Sequence, residues 1–161
     1  MNGSATALDR AFAALSYVMP LASALAAGSY FFTFLQVQAP AVLRVISLIL
    51  APLQPLIALE NSIFGLFIFI ALFVFVIRNT NISRFIRFNV LQAILVSFMI
   101  SIVSLILDVL ELTRGLVGET LLNVLFLGGM AIVIYSVAQS VLGRYAEIPT
   151  ISDAVNMQMP Y

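Results

Sequence analysis

One stretch limits what this chain can fold into more than any other. Ser83-Arg84-Phe85-Ile86-Arg87-Phe88-Asn89-Val90-Leu91-Gln92-Ala93 joins the densest basic cluster to an apolar run that continues to Leu107. At ~1.5 Å per residue, a helix from Phe88 to Leu107 covers about 30 Å, the hydrocarbon thickness of a bilayer. Arg78, Arg84 and Arg87 fall just outside that slab. Asn89 and Gln92 fall just inside it, where an unpaired polar group costs roughly 2–7 kcal/mol. The chain is 63% hydrophobic and 9% charged, against roughly 25% charged in soluble domains, so it cannot clothe a globule in polar groups. Lipid demands that backbone polar groups be satisfied within the protein. The expectation is therefore an all-α, polytopic membrane helix bundle forming one domain.

Composition excludes several functions. The formal net charge is zero, and no basic patch exists beyond the arginines at the membrane edge, so nucleic acid is not a partner. The absence of Cys and His removes disulfides, thiol chemistry, the common zinc sites and the usual neutral-pH acid/base group. Trp is absent too. Any interfacial aromatic belt falls to Phe and to Tyr17, Tyr30, Tyr135 and Tyr145. Residues 1–10 form a short polar start without the layout of a cleavable signal.

In chain order, the first span is expected at about 11–35, rich in Ala and Gly and kinked near Pro20. Residues 41–56 carry Arg44, Pro52, Gln54 and Pro55 among aliphatics, with polar and apolar faces separated. That pattern predicts an interfacial or re-entrant amphipathic helix, with a fifth span as the alternative. A second span is expected at about 57–77, since Ile63 to Ile77 is almost wholly Ile, Leu, Phe and Val and gains roughly 4–8 kcal/mol on insertion. Asn79 to Ser83 make a turn. The third span follows at about 86–107 and the fourth at about 120–142, leaving a tail at 144–161.

Span three carries a polar stripe. Ser97, Ser101, Ser104, Asp108 and Glu111 share one face of a 3.6-residue helix. Such a stripe either walls a hydrated lane or bonds its own carbonyls and packs on a neighbour. Span four has a seam of small residues, Gly129, Ser136, Ser140 and Gly143, suited to close packing. Four spans put Arg10, Arg78, Arg84, Arg87 and Arg144 on one side and Arg44 and Arg114 on the other. By the positive-inside bias both termini and the central basic loop face the cytoplasm or its equivalent. The tail, broken at Ile148-Pro149, is expected to lie back on the bundle from Ser152 or Asp153.

Two segments carry a resemblance. Arg84-Phe85-Ile86-Arg87-Phe88-Asn89-Val90-Leu91-Gln92-Ala93, with Ile148-Pro149-Thr150-Ile151-Ser152-Asp153-Ala154-Val155 and Gln158, resembles the Tic twenty family. That family is named for a subunit of the translocon at the inner envelope of chloroplasts and has cyanobacterial relatives. The resemblance covers about 14–158 and points to Arg84, Arg87, Phe88, Asn89, Gln92, Pro149, Asp153 and Gln158 as motif and anchoring positions. It implies a polytopic membrane subunit of protein import, in a plastid inner envelope or cyanobacterial membrane. A start without a long transit extension leads us to expect a cyanobacterial or plastid-encoded relative.

No catalytic constellation is present: no nucleophile elbow, phosphate loop or HExxH. The reading is a non-enzymatic chain without cofactor or metal. It helps form or scaffold a protein-conducting path or, alternatively, serves as an assembly subunit of a larger complex without channel activity. Expected partners are the bilayer, other membrane subunits, a translocating polypeptide, and further copies in an oligomer.

Overall fold

The structure, a computed structural model, describes residues 5–159. The described residues are helical, without strands. The first apolar run is broken into α1 (Ala7–Ser16), α2 (Val18–Ala27) and α3 (Ser29–Gln38). A capping box starts α1, with Asp9 N donating to Thr6 Oγ1 at 3.1 Å and Thr6 N to Asp9 Oδ2 at 2.9 Å. The first break falls at Tyr17, three residues before Pro20. Proline has no N–H for the Ser16 carbonyl, and its ring crowds that oxygen. The second break, at Gly28, is a packing site. A Cβ there would lie 2.8 Å from the Phe126 ring.

Helix α2 is the centre of the bundle, wedged between α7 (Arg84–Val109) and α8 (Gly115–Val141). Met19, Leu21, Ala22, Ala24 and Ala27 are all buried on it. Small side chains let the backbones close in, and a Cβ on Gly129 of α8 would come within 3.0 Å of the Ala24 Cβ and of Ile100 on α7. Helix α8 ends in a Schellman motif. Gly143 takes the left-handed conformation (φ 73°), its N–H donating to Ser140 O, while Arg144 N donates to Gln139 O.

Between α3 and α7 the chain makes an arm. Helix α4 (Pro40–Leu50), a 3-10 turn (Ala51–Leu53) and α5 (Gln54–Glu60) run on from one another, α4 against α3 and α5 against α2. Pro52 and Pro55 occupy first-turn positions of the 3-10 turn and of α5, where a proline is tolerated. They therefore do not stop the helix as they would from mid-turn. Among the described residues four stretches are long and apolar enough to cross a membrane: Ala7–Ala27, Pro40–Glu60, Arg84–Val109 and Gly115–Val141. The Ile63–Ile77 helix is shorter. It consists of α6 (Ile63–Ala71), capped by Ser62 Oγ on Phe64 N at 3.2 Å, and a π-helical segment (Leu72–Ile77) packed on α7. The tail forms α9 (Ile151–Gln158), also laid on α7.

The two ends of the bundle differ in charge. At one end the Ser83 hydroxyl donates to Asp9 Oδ1 at 3.1 Å, Arg10 lies against Gly143, and Arg87 Nε donates to Ile77 O at 2.9 Å. At the other end Tyr30 OH donates to Thr113 O at 2.9 Å. The start of α1, the 78–84 turn and the end of α8 thus share one end, and the α7–α8 loop occupies the other. The chain has no native Cys, so single introduced thiols report cleanly. In sealed vesicles, Asn81→Cys and Glu147→Cys are expected to react with an impermeant thiol reagent from the same side, and Leu112→Cys from the opposite side.

Candidate functional site

Asn89 and Gln92 lie one helical turn apart on α7 and are both fully buried. Their amides must find partners inside the protein, and the fold brings four segments to them. Tyr17, 1% exposed at the α1–α2 break, donates its hydroxyl to Asn89 Oδ1 at 3.0 Å and accepts from Gln92 Nε2 at 3.0 Å. From α8, the Ser140 hydroxyl donates to the same Asn89 Oδ1 at 3.0 Å. Asn89 Nδ2 donates to Phe85 O at 2.8 Å. The second Gln92 N–H donates to Ala146 O at 2.9 Å, and its Oε1 accepts from the Ser152 hydroxyl at 2.9 Å.

The tail is therefore sewn to the bundle through one glutamine. Its own geometry is set locally. Ser152 Oγ accepts from Ile148 N at 2.7 Å, and Ile151 N closes on Pro149 O at 2.8 Å around Thr150, held at φ 70°. That tight turn aims α9 back at α7, where Val155 is fully buried among Met19, Val90, Leu91 and Ile94. Tyr145 covers the site, its ring edge-on to Phe85 (5.3 Å) and Phe88 (4.9 Å). Each neutral hydrogen bond contributes about 0.5–1.5 kcal/mol net, while an orphaned partner costs about 1–3 kcal/mol. The network holds amides and hydroxyls only, so it supplies adhesion and geometry.

The sequence-selected positions separate into groups. Phe88, Asn89 and Gln92 converge with Ser152, uniting the two motif segments, while Pro149, Asp153 and Gln158 are exposed on the tail. Arg84 is exposed; Arg87 is buried, its Nε on the Ile77 carbonyl. Arg87 closes the C-terminal end of the π segment, where helix carbonyls lack partners and positive charge is favoured.

The polar stripe divides as well. Ser97 is buried and shares a 2.7 Å hydrogen bond with Ser23 of α2, which Ser101 also approaches at 3.4 Å. Ser104 is half-buried and Asp108 exposed, its carboxylate accepting from the Thr113 hydroxyl at 3.5 Å. Glu111 lies beyond the end of α7 with φ 56°, so it does not prolong the stripe. Among the described residues no three acidic side chains converge as metal ligands would.

Of the residues that make these bonds, sequence reasoning misses Ser23, offers Tyr17 for a membrane-edge belt and offers Ser140 only for a packing seam. Gln92→Leu is expected to lower stability in detergent by about 1–3 kcal/mol and to expose residues 147–150 to protease. Asp153→Ala, on the exposed face of α9, is expected to stay within about 0.5 kcal/mol. Thermal unfolding and limited proteolysis check both.

Comparison with known proteins places this geometry. The family model described as "Chloroplast import apparatus Tic20-like" matches residues 7–155. A Tic20 family protein of Synechocystis is 44% identical over 165 aligned positions, covering 99% of this chain and 98% of the relative. Protein TIC 20-II, chloroplastic, of Arabidopsis thaliana is 28% identical, covering 95% of this chain and 73% of its own length. The Tic20 family protein Ycf60 of Cyanidium caldarium is 36% identical over 62% of this chain and 50% of its own. With a match over nearly its whole length and the two motif segments joined at Gln92 and Ser152, this chain belongs to the Tic20 family.

Proposed function

We propose that the chain is a non-enzymatic subunit of a protein-import apparatus in the membrane, one wall of a polypeptide path that neighbouring chains complete. The observation that carries this reading is the filled interior. Ala24, Val96 and Ile100 are buried at the centre, with Gly129 closed against them. An extended polypeptide therefore has no room to run through a single copy. The outward part of the stripe, Ser101, Ser104 and Asp108, borders the surface between helices instead. Ser101 meets Ser23 and Asp108 meets Thr113 at only 3.4 and 3.5 Å, and in lipid such groups gain from water or another chain. The large apolar faces of α4, α6 and α8 suit lipid or partner helices.

We take Pro40–Glu60 as the second crossing, because Ile57 packs with Tyr17 and Leu21, and Ile77 lies at the same basic end as Arg87. Both ends of the 61–77 segment then lie toward that end. The arginines gathered there favour the cytoplasmic or stromal side, with both chain ends. A second reading, an assembly subunit without a path, draws on the Ser23–Ser97 bond, which turns the upper stripe into packing. Photo-crosslinkers at Ser101 and Ser104 are expected to capture a translocating polypeptide during import, and one at Ser97 to capture none. Capture of neighbouring subunits alone at all three positions would decide for the assembly reading.

A further inference from the structure

Beside the network and separate from it, a cavity of about 300 Å³ opens between α1, α5, the π segment and the first turns of α7. Its walls are apolar, among them Phe12, Leu59, Leu72 and Val90, with Ser16 and Glu60 as the polar exceptions. Phe12, Leu15, Leu56 and Leu59 are at least 40% exposed, so the mouth opens on the lipid-facing surface. Glu60 is half-buried, and among the described residues no hydrogen bond or ion pair reaches its carboxylate. It shares the cavity with Phe12 of α1 and Ile86, close to the basic end of the bundle and hence to the depth of lipid headgroups.

We propose that this cavity seats one acyl chain of a membrane lipid whose head carries hydroxyl donors and no net negative charge, with the Glu60 carboxylate accepting from that head. Shape selects the occupant. About 300 Å³ lies at the lower limit of ligand pockets, and the walls are apolar with a mouth on the lipid-facing surface, so a flexible hydrocarbon chain can bend into it with part of its length. Charge selects the head. A carboxylate at headgroup depth repels phosphate and needs a donor, and among the described residues none reaches it.

The chain lacks Trp, so a single introduced indole reports alone. Leu72→Trp, with Ile68→Trp as a second cavity reporter, is compared with Leu105→Trp on the exposed face of α7. The full chain is reconstituted in phosphatidylcholine vesicles doped with lipids of identical brominated acyl chains. One dopant has an uncharged glycosyl head, the other an anionic phosphoglycerol head. Cavity fluorescence is expected to quench at a lower mole fraction of glycosyl lipid than the Leu105→Trp control. The preference over anionic lipid should be about fivefold, the equivalent of ~1 kcal/mol for one charge near the membrane surface. Adding Glu60→Lys is expected to reverse that head preference. Identical dose dependence at cavity and control, an unquenched cavity, anionic preference in the native background, or a head preference unmoved by Glu60→Lys would each overturn the proposal.

Discussion

A primary amide in hydrocarbon cannot be left unpaired, and Gln92 meets that requirement with three hydrogen bonds to three different parts of the chain. Its N–H groups hold the hydroxyl at the α1–α2 break and a carbonyl beyond α8, and its oxygen holds the first turn of α9. Asn89, a turn earlier, repeats the pattern toward Tyr17 and Ser140. Because a half-satisfied buried network is worse than none, these partners stand or fall together. The docking of the tail and the register of α7 against α8 follow from the same condition.

Packing around that network is close because small residues permit it. Ala22, Ala24 and Gly129 bring α2, α7 and α8 together without the hydrophobic drive that water would supply. The interruptions at Tyr17 and Gly28 serve this contact. One turns a hydroxyl inward, and the other leaves space for the Phe126 ring, which meets Phe31 and Phe32 at 5.0 and 5.4 Å. The arm from Pro40 to Ile77 shares little of this burial. Ile57, Gly65 and Ile77 are its only buried residues among those described. The bundle thus has a tightly built half of α1, α2, α7, α8 and α9, and a looser half whose surface and cavity are available to lipid or to other chains.

Family membership and this architecture together suit a subunit that works in company. A filled core, an outward hydroxyl-and-carboxylate stripe on α7 and broad apolar faces are the properties of a component whose polar surface is completed by neighbours. The conspicuous motif residues belong to internal adhesion: the segment around Gln92 and the segment around Ser152 are two sides of one hydrogen-bonded joint.

Much was legible before any coordinates. Lipid as solvent, helices as the only way to satisfy the backbone, the Pro20 discontinuity and a tail that folds back all follow from residue type and local spacing, because these depend on contacts within a few positions. The need of Asn89 and Gln92 for partners was legible for the same reason. Their partners were not: Tyr17 and Ser152 lie 75 and 60 positions from Gln92, and an apolar chain gives no sequence signal for which hydroxyl crosses that distance. Nor could spacing decide that Ser97 turns inward to Ser23, that Arg87 closes a helix end, or that prolines at first-turn positions let the 40–60 helix continue. Those choices were made by tertiary packing, which alone determines which buried donor meets which acceptor.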